Sequence, residues 1–215
     1  MGLTKANLYK KPEHIITTSW DDGGILDEKI AMLLSRYNLP GTFYVVVDMV
    51  GMQGYMDWEM IKQLDREGFS IGSHTMSHPS DLKTLYDEDL HYQIQNSKDM
   101  IESVLGHPIS SFCYPRGRVD DRVREQVIKA GYAEARITGK PGVIIKPDPY
   151  LLPGTIHIFQ RPEYGKTSIF DFATQTLDRL VKEGGYCNIW GHSAEIERDR
   201  NWDVLERVLQ YASRL

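Results

Sequence analysis

The chain has 215 residues, of which 41% are hydrophobic and 26% are charged, which is typical of a globular protein. Its 25 basic and 30 acidic side chains give a formal charge of −5, which argues against nucleic acid or an anionic membrane as the main partner. No segment approaches the roughly 20 apolar residues of a transmembrane helix. No apolar run follows the first lysines, so we predict no secretory signal and expect a cytoplasmic location.

Short runs rich in β-branched or aromatic residues alternate with apolar residues at helical spacing, and they predict alternating strands and helices. Asp57 and Gly68 are the expected start and stop signals of the second helix. The proline-rich segment 139–154 is predicted to be a loop. In chain order the predictions are strand 14–20, helix 26–37, strand 42–47, helix 58–64, strand 69–73, helix 90–105, strand 109–114, helix 123–130, strand 132–138, strand 155–159, helix 169–181, strand 186–190 and helix 202–212.

Strands that alternate with helices imply an α/β fold with a parallel sheet covered by helices. About seven strands suit a distorted (β/α) barrel better than a closed eight-fold barrel, which normally needs about 250 residues. No repeat or linker divides the chain, so one domain over residues 1–215 is expected. Cys113 and Cys187 are predicted to be buried free thiols, since neither lies in a metal-binding pair. In such a fold the functional loops follow the carboxyl ends of the strands.

Three predicted strand ends carry residues suited to metal binding or proton transfer. Asp21 and Asp22 follow the first strand, His74 and His78 follow the third, and His192 follows the last. Each has an ordinary alternative when taken alone: a turn before a helix, chance spacing among seven histidines, or a structural histidine. Together, two imidazoles and one carboxylate form a three-ligand set with an open position, as in catalytic zinc sites. The imidazoles share one face if their segment is helical. The second carboxylate and the last histidine are suited to proton transfer.

The residues around these strand ends resemble motifs of the polysaccharide deacetylases, a family also called carbohydrate esterase family 4 or the NodB homology domain. Residues 19–23 (SWDDG) resemble the first motif of that family, and residues 68–78 (GFSIGSHTMSH) resemble the second. Three further segments resemble the strand between these motifs, the third motif and the last motif: PGTFYV at 40–45, FCYPRG at 112–117 and WGHS at 190–193. The resemblance covers about residues 14–211 and implies a distorted barrel of about seven β/α units.

By this resemblance, Asp22, His74 and His78 hold one divalent metal ion. Zn²⁺ is the first choice, and Co²⁺, Mn²⁺ and Ni²⁺ are the alternatives. The resemblance also implies that Asp21 is the general base and that His192 is the general acid.

The resemblance further implies that Trp190 lies against the acetyl methyl group and that a backbone N–H near Tyr114 to Arg116 binds the oxyanion. Tyr114 is also a candidate for stacking on a sugar ring, with core packing as the alternative. The third motif differs from that of polymer-acting members, because Cys113 replaces an arginine and Arg116 replaces a tyrosine. Arg136 is a candidate substitute for the missing arginine, and an exposed charge at the barrel rim is the alternative.

The implied function is hydrolysis of an acetyl or other small acyl group from an amino sugar or sugar conjugate. One alternative keeps the metal site but acts on another amide, such as a formylated sugar or a cyclic amide. A second alternative is a catalytically silent sugar-binding domain, against which the retained Asp21 argues. A small or membrane-linked substrate met in the cytoplasm is expected, because no secretory signal is predicted and the third motif is altered.

Overall fold

The computed structural model describes residues 13–215, and its centre is one sheet of eight strands. In chain order they are β1 His14–Trp20, β2 Thr42–Val45, β3 Ser70–Ser73, β4 Ser111–Cys113, β5 Glu134–Ile137, β6 Leu152–Pro153, β7 Ile156–His157 and β8 Gly185–Gly191. Their order across the sheet is β6-β5-β4-β3-β2-β1-β8-β7, and every pairing is parallel. The predicted α/β fold is confirmed, and each of the seven predicted strand segments contains an observed strand.

The sheet curls into a distorted barrel whose edge strands, β6 and β7, pair with β5 and β8 and not with each other. Only Gly154 and Thr155 connect these edges. The Gly154 N–H donates to the Ile137 carbonyl of β5 at 2.9 Å, and the Thr155 N–H donates to the Asn188 carbonyl of β8 at 3.0 Å. Gly154 is therefore bonded to one side of the gap and Thr155 to the other, so the chain itself spans the gap between these two residues.

Helices follow most strands and cover the outer face of the sheet. Their bounds are α1 Asp27–Arg36, α2 Trp58–Arg66, α3 Asp87–His91, α4 Ser97–Leu105, α5 Asp121–Lys129, α6 Ile169–Glu183, α7 Ser193–Arg198 and α8 Trp202–Ala212, with a π-helical turn at Tyr92–Asn96 joining α3 to α4. The predicted start of α2 is confirmed, because the Asp57 side chain accepts a hydrogen bond from the Met60 N–H at 2.9 Å. No helix in residues 13–215 has the length and apolar character needed to cross a bilayer.

The apolar stripes of the helices pack against the sheet in one buried cluster. It includes Leu34 and Ile61 from the helices and Phe43 and Phe112 from the strands, all fully buried. Burial of each such side chain contributes about 1.5–3 kcal/mol, so the cluster fixes the strands against one another. Cys113 and Cys187 are buried and unpaired, as predicted.

Three local features differ from the sequence predictions. β6 lies inside the segment predicted to be a loop, because its two residues are too few for a strand pattern. The six-residue helix α7 was not predicted. The segment between His74 and His78 is not helical, and the backbone turns there through left-handed conformations at Thr75 (φ 72°) and His78 (φ 54°).

Candidate active site

Parallel pairing brings the ends of β1, β2, β3 and β8 to one edge of the barrel. Trp20 is in register with Gly191, and the Asp21 N–H donates to the Gly191 carbonyl at 3.0 Å, which places Asp21 beside the start of the His192 loop. On the other side of β1, the His74 N–H donates to the Val45 carbonyl of β2 at 2.8 Å. The three strand ends predicted to carry chemistry therefore meet in space.

Asp22, His74 and His78 form a compact group at this edge. The His74 Nε2 atom lies 3.7 Å and the His78 Nε2 atom 3.9 Å from the same Asp22 oxygen, Oδ1. One ligand atom from each residue can be chosen so that all lie within 4.8 Å of one another. Two imidazoles and one carboxylate at this spacing fit a divalent ion such as zinc, with room for a further ligand.

The surroundings of His74 prepare it to bind a metal ion. Its Nδ1–H donates to the Cys113 carbonyl at 2.8 Å, which leaves the lone pair of Nε2 directed at Asp22. Burial lowers the pKa of His74, although Asp21 and Asp22 oppose this, so the neutral, metal-binding form is favoured. Asp22 is also left-handed (φ 77°), like Thr75 and His78, and such strain in non-glycine residues concentrates at functional sites.

Asp21 and Arg136 form a buried ion pair next to the ligand group. Arg136 is 1% exposed and Asp21 is 4% exposed, and the Arg136 Nη2 donates to the Asp21 Oδ2. Burial opposes ionisation of Asp21, but Arg136, assisted by His74 and His192, outweighs burial and lowers the pKa of Asp21 to about 2. The alternative of an exposed charge at the barrel rim is thus excluded for Arg136.

Cys113 lies where Asp21 and Arg136 meet, as the register of β4 with β5 requires. Cys113 is opposite Arg136 in that pairing, and its Sγ accepts a hydrogen bond from the Arg136 Nη2 at 3.0 Å. Asp21, His74 and Cys113 are close enough to form a second group of potential ligands. The guanidinium already supplies a positive charge to Asp21 and Cys113, and burial raises the pKa of the Cys113 thiol well above its usual value. This second group is therefore a poor metal site.

His192 faces the two aspartates from the end of β8. Its Nε2 atom lies 3.9 Å from the Oδ2 of Asp21 and 3.9 Å from the Oδ2 of Asp22, and its Nδ1 lies 2.7 Å from the Glu195 Oε2. Burial would lower the pKa of His192, yet the Glu195 hydrogen bond and both aspartates raise it to about 9. The imidazole therefore carries a proton at neutral pH.

The structure places the remaining predicted residues as follows. The Trp190 side chain is 3% exposed, and its ring stacks on His157 with centroids 3.9 Å apart and lies 4.8 Å from the Arg136 guanidinium carbon. Tyr114 is 1% exposed and packs against Phe112, so its ring is in the core and is not available for stacking on a sugar. Arg116 is exposed and left-handed (φ 57°).

A cavity of about 260 Å³ opens directly over the catalytic candidates. Its walls include Asp21, Asp22 and His192, together with Gly54 and Tyr55 from the segment between β2 and α2. This volume is slightly below the range of about 300–1,000 Å³ that is typical of small-molecule sites.

Residues 9–135, more than half of the chain, match the sequence profile of the family described as polysaccharide deacetylase. The chain belongs to the polysaccharide deacetylase family. The resemblance seen in the sequence motifs is thereby confirmed.

Relatives that are named as deacetylases match part of this chain in sequence. The peptidoglycan-N-acetylglucosamine deacetylase of Bacillus cereus is 32% identical over 127 residues, which cover 56% of this chain and 54% of that protein. Chitin deacetylase 1 of Cryptococcus neoformans is 32% identical over 114 residues, covering 53% of this chain and 23% of that protein. The chain thus spans about half or less of the length of these relatives.

The fold of the family extends over almost the whole chain. A family 4 carbohydrate esterase from Streptomyces lividans, solved in complex with acetate, superposes with a TM-score of 0.60. It covers 94% of this chain and 86% of that chain at 15% identity, which shows a shared fold and no more.

Sequence reasoning missed two residues of this candidate site. Glu195 accepts hydrogen bonds from His192 and from His157, and neither Glu195 nor His157 was among the predicted site residues. The available signal was the three-residue spacing of His192 and Glu195, which brings them together once α7 forms. His157 lies 38 residues from Glu195, and only the pairing of β7 with β8 brings it close.

Proposed function

We propose that this chain hydrolyses the N-acetyl group of an amino sugar, with one divalent metal ion held by Asp22, His74 and His78. One observation carries the proposal: beside the ligand group, Asp21, a buried carboxylate kept ionised by Arg136, lies 3.9 Å from the Nε2 of His192, an imidazole kept protonated. Amide hydrolysis requires a base and an acid next to an electrophilic centre.

The donor set supports zinc as the ion, with cobalt, manganese and nickel as alternatives of the same ligand chemistry. When bound, the ion would polarise the amide carbonyl and lower the pKa of a water molecule in the pocket. The hydrogen bond from the His74 Nδ1 to a backbone carbonyl holds one ligand ring in the required orientation whether or not the ion is present.

Asp21 is the proposed general base. Its depressed pKa keeps it ionised at neutral pH, and its carboxylate borders the cavity where a water molecule and the substrate carbonyl would meet. Arg136 holds one carboxylate oxygen, so the orientation of the group is fixed before substrate arrives. The base is therefore positioned as well as charged.

His192 is the proposed general acid. An amide nitrogen is a poor leaving group unless it is protonated as the C–N bond breaks, and His192 carries a proton at neutral pH. Its Nε2 faces Asp21 and Asp22, and both of these aspartates line the cavity. The proton can thus be delivered into the cavity that His192 lines.

The Arg116 N–H is the proposed backbone donor for the oxyanion that develops on the acetyl carbonyl. The Tyr114 N–H is used by the Arg136 carbonyl at 3.0 Å, and Pro115 has no N–H. Within residues 13–215 the backbone hydrogen bonds include none donated by the Arg116 N–H. The left-handed backbone at Arg116 further supports this role, because such strained conformations concentrate at functional sites.

We further propose that the substrate is a small or conjugated amino sugar. The motives are the altered third motif around Cys113 and a cavity of about 260 Å³. Peptidoglycan and chitin, which appear in the names of two relatives, are the competing substrates.

An acetate-release screen tests this proposal. The purified chain is given N-acetylated monosaccharides, nucleotide-linked amino sugars, short chitin oligomers and peptidoglycan, and acetate and formate are measured separately. Asp21→Asn, which keeps the shape of the side chain, is the control and should lose about 10²–10⁴-fold in rate. Tight sugar binding without acetate or formate release would instead identify a silent binding domain, and faster release from insoluble polymer would contradict the small-substrate proposal.

A further inference from the structure

One carboxylate oxygen joins the two histidines on the acid side of the site. Glu195 Oε2 accepts the His192 Nδ1–H at 2.7 Å and the His157 Nε2–H at 3.1 Å. Both distances are those of hydrogen bonds to a charged acceptor. These three residues also form a group that could hold a metal ion, but the hydrogen bonds already account for their spacing.

His157 is held rigidly by contacts on several sides. Its backbone N–H donates to the Tyr164 hydroxyl at 2.7 Å, and that hydroxyl donates to the His157 carbonyl at 3.1 Å. Its ring stacks on Trp190 with centroids 3.9 Å apart and an angle of 7° between the planes. Burial lowers the pKa of His157 despite Glu195, so the ring is neutral and Nε2 is the nitrogen that carries its proton.

We propose that Glu195 is a positioning residue for His192 and that His157 holds Glu195 in place. The inference rests on the proposed function. With Nδ1 occupied by Glu195, the ring of His192 can present only Nε2 to the cavity, where it lies 3.9 Å from Asp21 and Asp22. Loss of this contact frees the ring to rotate away, and a misplacement of about 1 Å in a reacting group can cost about 10²-fold in rate.

The step that depends on this orientation is departure of the amine. The amide C–N bond breaks, its electron pair stays on nitrogen, and nitrogen takes the Nε2 proton. His192 is left neutral, with the remaining proton on its Nδ1 and still hydrogen-bonded to Glu195. An aryl acetate such as p-nitrophenyl acetate needs no such proton, because its phenolate is a good leaving group. The role of Glu195 should therefore be visible in the amide reaction and not in the ester reaction.

The experiment compares both reactions in wild type, Glu195→Ala and Glu195→Gln. Glu197→Ala is the matched control, because Glu197 is on the same helix but accepts from the Trp202 indole and not from either histidine. His157→Phe keeps a ring against Trp190 and removes the second donor to Glu195. We expect Glu195→Ala to lower kcat for the N-acetyl sugar about 10²-fold with KM little changed, and to leave aryl acetate hydrolysis near wild type. His157→Phe should show a weaker loss of the same kind.

An equal fall in both reactions, or no fall in either, would overturn the proposal, since a structural role affects both substrates alike. Glu195→Gln keeps the volume of the side chain, so the amide and ester reactions can be compared in this variant if the alanine variant does not fold. ¹⁵N NMR of His192 gives an independent readout: a hydrogen-bonded Nδ1–H signal in the wild type should be lost in Glu195→Ala. If the wild type hydrolyses neither substrate, the proposed function fails, and persistence of this signal in the variant would still refute the Glu195 contact.

Discussion

Replacing Arg136 by methionine removes a guanidinium that nothing nearby can replace. The residue is 1% exposed, and its partner Asp21 is 4% exposed, so water cannot take over the role of the lost charge. Removal of one partner from a buried ion pair typically costs about 3–5 kcal/mol, because the remaining charge is left uncompensated. Methionine keeps much of the apolar volume against Tyr44 and Trp190, which limits the packing loss.

The pKa of Asp21 sets the scale of the charge effect. Its fall from 3.8 to about 2 corresponds to about 2 kcal/mol in favour of the ionised form at neutral pH. Burial acts in the opposite direction, so Arg136, assisted by His74 and His192, offsets burial and adds this amount. A double-mutant cycle between Arg136 and Asp21 should therefore give a coupling energy of at least about 2 kcal/mol.

Urea unfolding at neutral pH in the presence of a chelator measures this coupling. The cycle needs wild type, Arg136→Met, Asp21→Asn and the double variant. Arg136→Met should cost about 3–5 kcal/mol beside Asp21 and clearly less beside asparagine. Arg136→Lys should restore activity only in part, because an ammonium lacks the planar fork that aligns a carboxylate. An equal cost in both backgrounds would mean that Arg136 acts through packing, and the reasoning about Asp21 would be wrong.

Two further variants test the surroundings of the site. Burial, with Asp22 and Asp21 adding to it, raises the pKa of Asp27 to about 8, so the folded protein keeps a proton that the unfolded chain releases above pH about 4. Between pH 5 and 7, the unfolding free energy of Asp27→Asn should therefore rise by about 1.4 kcal/mol per pH unit relative to that of the wild type. Equal dependence of the two unfolding free energies on pH would contradict this. His74→Ala removes one of three ligands and should abolish metal retention after dialysis, whereas full occupancy by elemental analysis would show that the ligand assignment is wrong.

The strand ends that form the site could be predicted because parallel strands place their carboxyl ends at one edge. This rule brought together Asp21, Asp22, His74 and His192 without knowledge of the helices. The same reasoning placed Arg136 beside Cys113, since consecutive strands in the barrel are neighbours, and the register of β4 with β5 confirms that contact.

Other parts of the site depend on features that a sequence pattern does not carry. His78 reaches Asp22 from a loop with left-handed residues and not from a helix, and non-glycine residues give little sign of such a backbone. β6 has two residues, one of them a proline, and it forms because β5 is already in place. The shared acceptor Glu195 lies on the short helix α7, whose six residues show too little periodicity for prediction.

The dependence of acetate release on metal content tests the central claim most directly. The purified chain is stripped with a chelator and titrated with Zn²⁺, and bound metal and acetate release from an N-acetyl sugar are measured in the same samples. We expect no release without metal and a rate that saturates at one ion per chain. Asp22→Asn and His78→Ala should each shift this titration to higher metal concentrations. Full acetate release by the metal-free chain would contradict the account.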